Sequence, residues 1–89
     1  MKIKLELFGA SRDFSQKDYL ELEVQNKAST EDLRNEIIKY LDKNFKGNEN
    51  FIKIVKSSAF SSEDNQIISD NYKITKDQKI AIIPPIGGG

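Results

Sequence analysis

Hydrophobic and polar residues alternate strictly from Lys2 to Phe8. Ile3, Leu5 and Leu7 fall on one side, and Lys2, Lys4, Glu6 and Phe8 on the other. A period of two predicts a strand with one face buried. Gly9 ends the run, and Ala10 to Lys17 reads as a polar turn region. Tyr19 to Gln25 alternates again, with Leu20, Leu22 and Val24 inward and Glu21, Glu23 and Gln25 outward. Two such runs with a polar link predict a β-hairpin.

The period then changes. Leu33, Ile37, Tyr40, Leu41 and Phe45 recur at spacings of three and four, which is the apolar stripe of a helix of about four turns. Ser29 is placed as its N-cap and Asp32 as the reciprocal carboxylate of a capping box, while Glu31 and Asp32 suit the positive end of the helix dipole. Lys43, Lys46 and Gly47 form a matching stop signal. Phe51 to Val55 is rich in β-formers and predicts the start of a third strand extending toward Phe60. Ser61 to Asn65 reads as a turn, Gln66 to Ser69 as a short strand, and Ser69 to Asn71 and Thr75 to Gln78 as loops. Lys79 to Ile83 is the final strand, closed by Pro84-Pro85, neither of which has an N–H to donate to a ladder.

The expected order is therefore strand, strand, helix, strand, short strand, strand, with no internal repeat. That is an α+β arrangement: a mixed sheet with one main helix packed on one face. The first and last strands are the longest and belong side by side in its centre. A β-grasp, ubiquitin-like domain over residues 1–85, followed by a flexible Gly-rich tail over 86–89, satisfies the pattern.

Composition narrows the chemistry. The 89 residues suffice for one small core, and 37% hydrophobic with 31% charged residues is ordinary for a globular chain. Fourteen basic residues balance fourteen acidic ones, so no global field draws in nucleic acid or an anionic membrane surface. The chain has no cysteine and no histidine, which excludes thiolate catalysis, disulfides and the commonest general base and zinc ligand. No apolar run approaches the roughly 20 residues of a membrane span, and the N-terminus alternates where a signal peptide would be apolar. A cytoplasmic protein is the expectation. Lys2, Lys4, Lys53, Lys56, Lys73, Lys76 and Lys79 read as a solvated surface in preference to a basic strip for acidic partners.

The unusual chemistry lies after Pro85, where the chain reads Ile86-Gly87-Gly88-Gly89. Glycines without side chains can thread a narrow tunnel and bring backbone close to another protein's active site. Pro84-Pro85 stiffens the exit from the last strand. The expected reactive group is the carboxylate of Gly89, with Gly88 beside it. A carboxylate is a poor acyl donor until it is activated as an acyl-adenylate, from which a sulfur nucleophile can displace AMP to leave a thiocarboxylate. The outward positions Phe8 and Ile83 suggest an apolar surface near the root of the tail that meets partners. Alternatively, Phe8 covers the sheet edge or its own loop.

The segment Lys79 to Gly89, KIAIIPPIGGG, resembles the C-terminus of the small, sulfur-carrier subunit of molybdopterin synthase. That family ends with a short apolar strand, Pro-Pro, an aliphatic residue, a small residue and Gly-Gly. Length, element order and the helix start Ser29 to Arg34 agree with it, whereas Val55 to Ile68 is more polar than that family's pattern. The resemblance implies that a ubiquitin-activating-like adenylyltransferase uses ATP to place AMP transiently on Gly89, and that a sulfur donor protein completes the thiocarboxylate. The tail would then enter the large subunit and give sulfur to cyclic pyranopterin monophosphate. Ile83, Pro84, Pro85, Ile86 and Gly87 would line the partner interface with Phe8. No permanently bound cofactor or metal is implied, and the catalytic groups would belong to the large subunit of a heterotetramer. Two other Gly-Gly carriers remain open: a thiamin-pathway sulfur carrier, which usually lacks Pro-Pro, and a ubiquitin-like modifier of lysines. A plain interaction domain is the fourth reading.

Overall fold

In a computed structural model, which describes residues 1–85, the hairpin forms as the alternation requires. Strand β1 (Lys2–Leu7) pairs antiparallel with β2 (Tyr19–Glu23) in the register Ile3 to Leu22 and Leu5 to Leu20. The last strand, β7 (Gln78–Ile83), lies parallel to β1, so the first and last strands do occupy adjacent central positions. Two short strands, β4 (Ala59–Ser61) and β5 (Ile67–Ile68), complete a mixed sheet of order β2-β1-β7-β4-β5. A separate two-residue ladder joins β3 (Ala28–Ser29) to β6 (Lys73–Ile74).

Helix α1 (Thr30–Phe45) starts where the capping signal put it. The Asp32 N–H donates to Ser29 Oγ (3.1 Å), and the Ser29 N–H donates to Asp32 Oδ2 (3.0 Å). Hydrogen bonding to the Asp32 carboxylate, first from the Ser29 backbone N–H and then from the Ser29 side chain, holds that carboxyl below its usual pKa, with a smaller contribution from Lys73. Leu33, Ile37 and Leu41 are fully buried against the inner face of the sheet, where they meet Ile3, Leu5, Leu7, Phe60, Ile80 and Ile82. Each such side chain contributes about 1.5–3 kcal/mol of apolar burial, the main force holding the helix on the sheet.

Residues 51–55 do not form the expected third strand. Glu49–Ser57 is instead a second, shorter helix, α2, packed against α1 and the hairpin loop, while α1 remains the main helix on the sheet. The reason is legible in retrospect. The Asn48 side chain accepts hydrogen bonds from the N–H groups of Asn50 and Phe51, which caps the helix. Phe51, Ile54 and Val55 then fall three and four apart, on one helical face, and Val55 is fully buried. Packing of that face outweighs the β-propensity of the individual residues.

The stretch Ala10–Lys17 is also more ordered than a polar turn. A 3-10 helix (Gly9–Phe14) inserts Phe14 into the core, where its ring lies 5.1 Å from that of Phe51. Phe45 meets Phe51 edge-on at 5.0 Å. These three rings tie the hairpin loop, α1 and α2 together. The short strand expected at Gln66–Ser69 is confined to Ile67–Ile68, after a turn in which the Ser62 N–H donates to the Gln66 carbonyl (2.8 Å).

Candidate functional site at the exit of the last strand

Alternation along β7 sends Ile80 and Ile82 into the core and Lys79, Ala81 and Ile83 to the outer face. The strand is flanked on one side by β1, and on the other by β4, whose Ala59 pairs with Ile83 and whose Ser61 pairs with Ala81. The C-terminal end of β7 is therefore held on both edges. The described chain then leaves through Pro84, which is half-buried, and Pro85, which is exposed.

Leu7, the last residue of β1, pairs with Ile82, so Phe8 just beyond the strand and Ile83 both come to the same corner of the outer face. Both are unusually exposed for apolar residues: Phe8 by 49% and Ile83 by 38%. Phe8 is held there by Ser11. Its N–H donates to Ser11 Oγ (3.0 Å), and that hydroxyl donates back to the Phe8 carbonyl (2.7 Å). Gly9 follows with φ +56°, a left-handed conformation that glycine adopts without the Cβ penalty, and this bend turns the chain away from β1 beneath Pro84.

A shallow depression of about 320 Å³ lies at this corner, with Phe8, Ala81 and Ile83 on its apolar side and Glu6, Lys79 and Glu63 on its polar side. Lys79 and Glu6 form an ion pair at 3.6 Å. The Lys79 N–H has no strand beside it, since β4 stops at Ser61; it donates instead to Glu63 Oε1 at 2.8 Å. Glu63 so takes the place of a missing strand. The 16-residue separation between the two gives sequence reading no local signal for that contact.

Arg34 is a further residue that pattern reading did not single out. Its Nη1 donates to the carbonyls of Val55 (2.6 Å) and Ser58 (2.9 Å), and its Nη2 to Asp70 (2.8 Å). Its guanidinium also lies 4.9 Å from the centre of the Phe60 ring. One side chain on α1 thus caps the end of α2 and fixes the entry into β4, the strand that supports Ile83.

Of the residues expected at the site, Phe8, Ile83, Pro84 and Pro85 converge on this corner. Ile86, Gly87, Gly88 and Gly89 lie outside the described residues. The lysines do not assemble into one strip. Lys2, Lys4 and Lys79 are on the sheet, Lys53 and Lys56 on α2, and Lys73 and Lys76 at and after β6. No helix among the described residues is long and apolar enough to cross a membrane.

A mixed sheet that opens with a hairpin, is crossed by a helix and closes on a central parallel strand is the β-grasp, ubiquitin-like fold. Solved structures share it, three of which follow. One, from Pyrococcus furiosus and provisionally described as molybdopterin converting factor, subunit 1, aligns over 96% of this chain and 98% of its own, with TM-score 0.70 and 22% identity. SAMP1 from Haloferax volcanii aligns over the whole of both chains with TM-score 0.69 and 13% identity. A ubiquitin from Caldiarchaeum subterraneum aligns over 100% of this chain and 98% of its own with TM-score 0.60 and 19% identity. No family model and no curated protein sequence matches the chain.

Proposed function

We propose that the chain is the sulfur-carrying subunit of a molybdopterin synthase, with the carboxylate of Gly89 as the carrier group. The observation that carries this reading is the junction at the end of β7. A strand clamped on both edges delivers Pro84-Pro85 beside the exposed pair Phe8 and Ile83, and the sequence continues as Ile-Gly-Gly-Gly. The fold shared with a protein described as a molybdopterin converting factor subunit supports it.

The chemistry follows from the poor reactivity of a carboxylate. An oxygen of Gly89 attacks the α-phosphorus of ATP on an activating enzyme, and pyrophosphate departs. Hydrosulfide supplied by the sulfur donor then adds to the acyl carbon, AMP leaves and the S–H proton is lost to water, so that the product carries sulfur where oxygen stood. The chain contributes no acid, base or metal to these steps. Its part is presentation: Phe8, Ile83, Pro84 and Pro85 seat on the large subunit, and Ile86 to Gly88 carry the thiocarboxylate to cyclic pyranopterin monophosphate. On this reading the assembly is a heterotetramer that works in the cytoplasm, and a sulfur donor protein is the third partner.

The test is intact mass after incubation with the activating enzyme, ATP and a sulfur donor. The expected result is a gain equal to the difference between sulfur and oxygen, localised to Gly89 and lost when Gly88-Gly89 is deleted. Adenylation without that gain overturns the proposal. The fold shared with SAMP1, also described as small archaeal modifier protein 1, supports a second reading, in which the same adenylate is passed to lysines of target proteins. Lysine adducts in place of the thiocarboxylate would select it.

A further inference from the structure

The corner at the end of β7 holds one carboxylate whose charge nothing answers. Ser61 pairs with Ala81, so a β4 that ran two residues further would set Glu63 against Lys79. The chain turns first, at the Ser62 N–H that donates to the Gln66 carbonyl (2.8 Å). The Glu63 side chain reaches back to that register position, and its Oε1 accepts the Lys79 N–H at 2.8 Å. An exposed glutamate is thereby held in one position by a backbone donor. Its carboxylate keeps lone pairs free for a second donor.

The depression lined by Phe8, Ala81 and Ile83 has two carboxylates on its polar side, Glu6 and Glu63, and one ammonium, Lys79. Lys79 Nζ is paired with Glu6 (3.6 Å), which leaves Glu63 as the net charge of the rim. Lys4 lies beside Lys79 in the β1–β7 register but turns the other way, with its Nζ 4.6 Å from the centre of the Tyr19 ring on β2. Glu63 is in no ion pair among the described residues. Exposed ion pairs are weak mainly because two long side chains must be immobilised and water screens them. Neither limit applies fully here. Glu63 is already held, and a partner seated on Phe8 and Ile83 excludes water from the depression beside it.

We propose that Glu63 sets the specificity of this corner: it selects a partner surface that presents an arginine or lysine beside the apolar side chain seated on Phe8 and Ile83. The inference rests on the sulfur-carrier reading, on which that surface belongs to the large subunit, and it adds the chemistry that the large subunit must offer. Charge disfavours a second copy as the occupant, because an isologous pair brings the same net-negative rim to both sides of the interface. The other role open to Glu63 is to cover the Lys79 amide where β7 has no neighbour, and nothing more. The two roles separate chemically. The amide oxygen of a glutamine accepts the same N–H but carries no charge.

The test measures binding of the full chain to the large subunit of molybdopterin synthase from the same organism, by calorimetry at low and high salt. Glu63→Gln should leave hydrogen exchange of the Lys79 amide as slow as in the unaltered chain, yet weaken binding by about tenfold and flatten its salt dependence. Glu63→Lys should weaken binding further, through like-charge contact with the partner's cation. Asp64→Asn removes the next carboxylate in the turn, one that does not line the depression, and should change affinity by less than about twofold. Three results overturn the inference and leave the sulfur-carrier reading standing: equal binding by Glu63→Gln and the unaltered chain, an equal loss in Asp64→Asn, or quickened exchange at Lys79 in Glu63→Gln. A dimer of the free chain through this corner overturns the choice of partner, and the inference with it. No binding by the unaltered chain at either salt overturns the sulfur-carrier reading itself.

Discussion

The outer face of the sheet is two surfaces in one. Around the end of β7 it is apolar and small: Phe8, Ile83, Ala59 and Ala81, with Ile67 (66% exposed) beyond Ser61 on the far edge. Across β1 and β2 it is charged: Lys2, Lys4, Glu21 and Glu23, with the Lys79–Glu6 pair at the boundary. Both halves rest on the same buried layer, and both are built from strands with the same alternation. The difference lies entirely in the outward residues, which the fold does not need. A sheet can thus present an apolar seat where its last strand ends and an edge of a different character two strands away.

The largest test of that separation compares neighbours on β7. Ile82→Ala empties a fully buried site and should cost about 2–5 kcal/mol in urea denaturation, a large part of the stability of a domain this small. Ile83→Asp, one residue on, should leave stability within about 0.5 kcal/mol, yet, on the sulfur-carrier proposal, weaken binding to the large subunit. Equal losses of stability would show that the outward residue belongs to the core.

Arg34→Ala comes next. With only 13% of its side chain exposed and charge-assisted hydrogen bonds to three separate groups, its loss should cost about 2 kcal/mol. The effect should be one-sided. Hydrogen exchange should quicken in β4 and at the end of β7, and change little in β1 and β2. Uniform acceleration would mean that the two halves open as one unit.

Asp32→Asn separates the helix cap from both surfaces. The Asp32 carboxyl titrates below its unfolded value of 3.8, so its contribution is present above that value and is lost as pH falls through the lower folded pKa. The variant should therefore show a shallower loss of stability in acid, with exchange in the two halves of the sheet altered alike. Denaturation at neutral pH and near pH 3 measures it. Smallest of all, exchanging the charges of Glu6 and Lys79 should move stability by less than about 0.5 kcal/mol, since the pair is partly exposed. A larger change would make that boundary structural.

Much of this was legible in the order of residues. Period two placed β1, β2 and β7 and named their inward residues. The period of 3.6 residues and the capping box placed α1 from Ser29 onward. The signals were strong because each run is long and one face is wholly buried. Phe51–Val55 reads as a strand where the structure has α2, because it is short and rich in β-formers. Over five residues, helical and extended patterns are hard to tell apart. Phe14 was missed because a single aromatic in a polar stretch has no period at all. Its burial depends on Phe45 and Phe51, which arrive from other elements.

The site divides the same way. Sequence alone determined the alternation that turns Ile83 outward, the Pro84-Pro85 stop and the glycines beyond it, because these are local facts of backbone geometry and residue chemistry. Only the tertiary structure decided that Phe8 stands beside Ile83. That requires β1 and β7, more than 70 residues apart, to lie parallel with Leu7 against Ile82. The same holds for Glu63 on the Lys79 amide, Arg34 at the end of α2 and the open edge of β2. Each depends on which strand has a neighbour and which does not. Register and adjacency are set by how the whole buried face closes over α1, and no window of local sequence contains that sum.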